Sequence, residues 1–123
     1  MGRGRLKGEF LERVETFSER CVALAEHLQT EGRFLRVVDQ LAGAGTSVGC
    51  NIAEASEALS VRDFRKCLGV AAKELAEARF LIRLVVRRSW VTQTRVDPLL
   101  DELEQIKRIV GALLTKTASP SPT

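Results

Sequence analysis

Tyrosine is absent from these 123 residues, and tryptophan and histidine occur once each, as Trp90 and His27. Rings this scarce argue against a nucleic-acid surface built from stacked aromatic platforms. A single histidine and three cysteines without a Cys-x-x-Cys pair exclude the usual zinc ligand sets, so no metal site is expected. Cys21, Cys50 and Cys67 are odd in number and all fall inside helical patterns. They are expected to be small hydrophobes in packed positions of a reduced, cytoplasmic protein. No apolar run approaches the roughly 20 residues needed to span a bilayer, so no membrane partner is expected. The basic start, MGRGRLKG, has no apolar segment behind it, which speaks against a signal peptide. Leu6 stands where a myristoylation signal wants Ser or Thr. Strand alternation, solenoid repeats and a Gly-rich phosphate loop are missing as well, and no cofactor is expected.

What is present is helical periodicity. Hydrophobic residues make up 45% and charged residues 28%, a balance that suits one globular domain with a modest core. After a basic tail over 1–8, a bundle is expected over 9–116. The first helix, 9–31, places Phe10, Val14, Phe17, Cys21, Leu24 and Leu28 on one face. Its outer face is acidic, and Gly32 ends it. A second helix is expected from Arg33 to Leu59 and a third from Val61 to about Ser89. Ser60 and Asp63 have the spacing of an N-cap for the third. Asp97-Pro98 reads as an N-cap followed by Pro at the first helical position of the fourth, which packs through Leu99, Leu103, Ile106, Ile109, Val110 and Leu113. Residues 117–123, TASPSPT, lack apolar side chains to bury and are expected to be a disordered tail. The pattern implies an all-α, antiparallel, up-down-up-down four-helix bundle.

Residues 40–84 carry the most information. Val38, Leu41, Val48, Ile52, Ala55 and Leu59 recur at three- and four-residue steps as a core stripe. Beside it runs a stripe of small residues: Ala42, Gly45, Gly49, Ala53 and Ser56. Each Gly in a helix interior costs about 1 kcal/mol relative to Ala, so the stripe points to close approach by another backbone. That backbone could belong to another subunit or to the same one, and a break at Gly43–Gly45 is a further alternative. In the third helix, Phe64, Leu68, Ala71, Leu75, Ala78, Ile82 and Val85 hold the period. Phe80, Leu81, Leu84 and Val86 broaden the stripe, implying burial on more than one side.

The same stretch reads Gly45-Thr46-Ser47-Val48-Gly49-Cys50-Asn51, then Glu54-Ala55, Ala58, Ser60 and Asp63-Phe64. Lys66, Leu68, Ala71, Lys73-Glu74, Glu77, Arg79 and Leu84 follow. It resembles the pattern GTSIGANxxEAxxAxSxxDFxxKLxIAxKExxETRYWLxLL of a bacterial four-helix-bundle family that includes proteins encoded in intervening sequences of 23S ribosomal RNA genes. Cys50, Cys67, Gly69 and the Phe80-Leu81 pair depart from it. The resemblance implies a small non-enzymatic bundle that forms a ring-shaped homo-oligomer, with five subunits favoured. More distantly, the chain is similar to the accessory variability protein of diversity-generating retroelements. That similarity implies association with a reverse transcriptase and its RNA.

Three constellations could carry function. Ser47, Asn51, Glu54, Lys73, Glu74, Glu77 and Arg79 could form a site, but they read better as a polar network at a packing or assembly seam with Gly45, Gly49 and Ala53. Arg20 and His27 have an Arg-x6-His spacing that RNases of another helical family use, a remote alternative. Over residues 61–89, eight Lys or Arg less three Asp or Glu leave a charge of +5. Arg79, Arg83 and Arg87 form one ridge there. With Arg62, Lys66, Arg3 and Arg5 they are the candidate contacts to RNA or DNA phosphates. A structural assembly protein without nucleic acid is the competing reading.

Overall fold

The computed structural model describes residues 6–119, and among these it is all-α. Arg3 and Arg5, and the Pro-Ser end beyond residue 119, lie outside the described residues. Four helices follow in order: α1 (Gly8–Thr30), α2 (Leu35–Ser56), α3 (Val61–Arg87) and α4 (Gln93–Lys116). Each packs on its neighbours in the chain, and α4 closes back onto α1. Among the described residues, the Cα atoms of α1 and α3, and of α2 and α4, nowhere come within 8 Å of each other. This closed cycle is consistent with a four-helix bundle. No helix among the described residues is long and apolar enough to cross a membrane.

The expected core positions of α1 and α3 are all buried, as are Leu99, Leu103, Ile106 and Val110 of α4. Gly32 ends α1 with φ +72°, a left-handed conformation that glycine adopts without strain. The N–H groups of Gly32 and Arg33 donate to the carbonyls of Gln29 and Leu28, closing the last turn. Ser89 does the same job at the end of α3 with φ +59°, so that helix stops at Arg87 rather than Ser89. Ser60 caps α3 as its spacing implies: the Asp63 N–H donates to its hydroxyl at 3.1 Å.

Several expectations need correcting. Helix α2 is shorter than Arg33–Leu59, and Leu59, beyond its cap, is 98% exposed rather than in the core stripe. Helix α4 begins at Gln93, not at Pro98, which sits inside it. Its first turns survive because the Gln93 side chain donates to Asp97 Oδ1 at 2.7 Å, and the carbonyl that Pro98 leaves without a partner belongs to exposed Thr94. Phe80 is 66% exposed, so the broadened stripe of α3 is not buried at that position. At about 100° per residue it lies far around the helix from buried Ile82. Cys21 is buried and burial pushes its thiol up to about 12, but Cys50 is exposed and Cys67 half-buried, so not all three are packed.

The glycine stripe is used within the chain. Helix α2 runs unbroken through Gly43–Gly45. A Cβ on Gly45 would lie 2.3 Å from Cys21 Cβ, and one on Gly49 would lie 2.5 Å from Ser18 Oγ. Ser18 donates to the Gly45 carbonyl at 2.7 Å, locking α1 to α2 at that closest approach.

Candidate nucleic-acid interface

Steps of four and three residues along α3, starting at Arg62, reach Lys66, Gly69, Lys73, Ala76, Phe80, Arg83 and Arg87. All eight positions are exposed. The same alternation on the opposite side of the helix gives the buried row Phe64, Leu68, Ala71, Leu75, Ala78, Ile82 and Val85. One helix thus presents a core stripe inward and a second stripe straight out. At 1.5 Å per residue the outer stripe is about 38 Å long. Five of its positions are cationic and none is acidic. Among the described residues, Arg62, Lys66, Lys73, Arg83 and Arg87 make no ion pair within 4.0 Å.

Arg79 departs from the ridge expected of it. Its Nε lies 3.2 Å from Glu104 Oε2 of α4, and neither side chain is more than about half exposed (40% and 37%). This pair turns Arg79 toward the α3–α4 groove, where Arg83, Val86, Arg87, Leu100 and Gln93 also line a hollow. On the other side of the arginine row a second hollow is lined by Ala76, Phe80 and Leu84 together with Arg79, Arg83 and Arg87. The sequence reading placed Lys73 in the seam network, whereas the structure sets it on the cationic stripe. Phe80 was missed as an exposed side chain. The signal available was its position: it follows Ala76 by four and precedes Arg83 by three.

The other constellations are less concentrated. Asn51 Nδ2 donates to the Ser47 carbonyl at 2.9 Å and to Ser47 Oγ at 3.1 Å, both within α2. Glu54 is exposed and close enough to Cys67 to help raise that thiol's pKa, after burial as the first cause. No ion pair among the described residues joins Glu54, Glu74 or Glu77 to Lys66 or Lys73. The expected ion pairs across α2 and α3 are therefore not formed among the described residues. Ala53 is exposed beside Gly49 and Cys50 in a groove between α1 and α2 that also includes Leu11, Val14 and Ser18. Arg20 and His27 lie two turns apart on α1. Arg20 lines a hollow with Ala23, Leu24 and Leu99, while His27 lies 3.6 Å from Glu31 in a different hollow beside Trp90. No cluster of three metal-ligating side chains occurs among the described residues.

The remaining polar ties hold helices in place. Arg13 of α1 bonds Glu102 of α4 through Nε at 3.0 Å and Nη2 at 2.8 Å, and Gln105 through Nη2 at 2.9 Å. Arg65, one position off the outer stripe, donates to the Leu114 carbonyl and, at 2.8 Å, to Thr117 Oγ1. Both arginines are therefore spoken for, in contrast with the cations on the stripe.

No curated protein matches the chain. Among solved structures, a protein of unknown function from the S23 ribosomal protein family of Bacteroides thetaiotaomicron is similar. It has a TM-score of 0.82 and 27% identity over 85% of this chain and 97% of that one. The family model described as 23S rRNA-intervening sequence protein matches residues 7–112. That span takes in α1, α2 and α3 entire and most of α4, with the cationic stripe inside it, so this chain belongs to the 23S rRNA-intervening sequence protein family.

Proposed function

We propose that this chain is a non-enzymatic, self-assembling binding protein that holds a nucleic-acid backbone along the outer face of α3. It would act as an accessory factor in a nucleoprotein, with a reverse transcriptase and its RNA as one partner class suggested by resemblance. The observation that carries this reading is the stripe of five cations with no acidic residue among them and no ion pair among the described residues. Like charges at four-residue spacing repel by a few tenths of a kcal/mol per pair, so an external anion is the simplest compensation. Three of the five are arginines, whose planar guanidinium matches phosphate oxygens in pairs. Cross-helix pairings support an antiparallel up-down-up-down path. Leu6 meets Ser56 and Ser18 meets Gly45, while Arg65 meets Thr117 and Arg79 meets Glu104.

The competing reading is assembly without nucleic acid, in which α3 receives the acidic outer face of α1 from a neighbouring copy. Salt-dependent binding separates the two. RNA affinity of the wild type should fall linearly with salt on logarithmic axes, by about 0.7 in slope per phosphate contact to a single strand. Arg83→Glu should weaken binding and flatten that slope while the oligomer keeps its size. If the wild type shows no RNA or DNA binding at low salt, the proposal fails.

A further inference from the structure

Phe80 is the one large apolar side chain on the cationic stripe, and it is two-thirds exposed at 66%. Leaving a phenylalanine in water forgoes burial that a core position would give it, and Ala76 and Leu84 extend the apolar surface on either side along α3. Arg83 and Arg87 flank the same hollow, and neither has a carboxylate within ion-pair distance among the described residues. An apolar ring face bordered by free guanidinium groups matches one chemical class closely: a flat, uncharged aromatic ring joined to a phosphate. We infer that this hollow stacks one unpaired base of a single-stranded nucleic acid on Phe80, while Arg83 and Arg87 hold the phosphates beside it. The inference rests on the proposed nucleic-acid binding and narrows it from any polyanion to strands with unstacked bases.

Charge decides the occupant. A second copy laying its own α3 stripe here would set cation against cation. A duplex keeps its bases stacked inside and would leave the ring of Phe80 facing phosphates and sugar. Of the nucleic-acid forms, only a strand with free bases gives both the ring and the arginines a partner. The acidic α1 face of another copy is the remaining occupant, and oligomeric size tests it.

The test compares three probes by fluorescence anisotropy: a 12-residue RNA single strand, a DNA single strand of the same sequence, and the RNA duplex. Phe80→Leu keeps an apolar side chain at an exposed helical site but removes the ring. Base–aromatic stacking is worth about 1–3 kcal/mol, so single-strand affinity should fall roughly five- to a hundred-fold. Duplex affinity and the salt slope should stay as they are, because no phosphate contact is lost. A 2-aminopurine base in the single strand should be quenched by the wild type and not by Phe80→Leu. Retention of the Phe80→Leu loss on both RNA and DNA single strands supports stacking, and a preference for either strand names the source. Equal losses on duplex and single strand, or no loss at all, overturn stacking and leave backbone binding standing. A change of oligomeric size in Phe80→Leu also overturns it, because Phe80 would then be a contact between copies. Absence of binding by the wild type overturns the wider proposal first, and this one with it.

Discussion

Gly43 and Gly45 lie two residues apart in α2, yet a methyl group should have opposite effects at the two positions. At Gly43 nothing lies within 4 Å of an added Cβ, so Ala there meets open space and adds helix propensity. Gly43→Ala should raise stability by up to about 1 kcal/mol. At Gly45 the same methyl group would lie 2.3 Å from Cys21 Cβ, which cannot rotate away because it is fixed to its own backbone. Gly45→Ala should therefore destabilise by about 1–3 kcal/mol despite the better propensity. Urea denaturation of the two variants checks the pair, and equal shifts of the same sign would contradict the close approach of α1. Helical spacing already put Gly45, and not Gly43, on the small-residue stripe, but it could not say which backbone approaches that stripe. The structure supplies that partner: α1 passes Gly45 and Gly49 with Cys21 and Ser18.

Element boundaries depend on local chemistry, and where that chemistry is a side-chain cap it can be read directly. Ser60 has extended backbone angles, φ −144° and ψ 158°, and accepts from Asp63 N–H, so Ser60→Ala should cost about 1 kcal/mol. Thermal melting with circular dichroism would show it, and an unchanged midpoint would mean that water replaces the hydroxyl without loss. Leu59 shows the limit of periodicity. It keeps the three- and four-residue spacing of the α2 stripe, but the helix has already ended at Ser56, so the residue points into solvent. Pro98 misled for the opposite reason: a good N1 residue was placed well inside a helix whose start is at Gln93. The candidate interface was legible in part. Arg62, Lys66, Arg83 and Arg87 follow from charge and spacing along α3. The loss of Arg79 to Glu104 could not be seen, because that pair spans two helices whose relative rotation is set by core packing.

At the scale of the molecule, charge is segregated between helices whose backbones are not adjacent. Glu12, Glu15, Glu19 and Glu26 are exposed on the outer side of α1, and the cationic stripe covers the outer side of α3. The two helix backbones are not adjacent in the described residues, and both faces lie on the side away from the core. A subunit with opposite charges on separate faces can associate head to tail, and such contacts close into rings when the rotation allows. Apolar side chains outside the stripe offer a different contact: Phe34 and Leu35 are 65% and 54% exposed at one connector. The proposed nucleic-acid role leaves the α3 stripe open, so assembly should use surface other than that stripe. Light scattering coupled to size exclusion, without nucleic acid, should show more than one copy, with five favoured. The size should persist at about 1 M salt, where charges are screened within about 3 Å, and in Arg83→Glu. Dissociation under both conditions would assign the stripe to a neighbour's α1 acids and remove it from the phosphates. A single copy at micromolar concentration in every condition would refute self-assembly and leave nucleic-acid binding to be judged on its own salt slope.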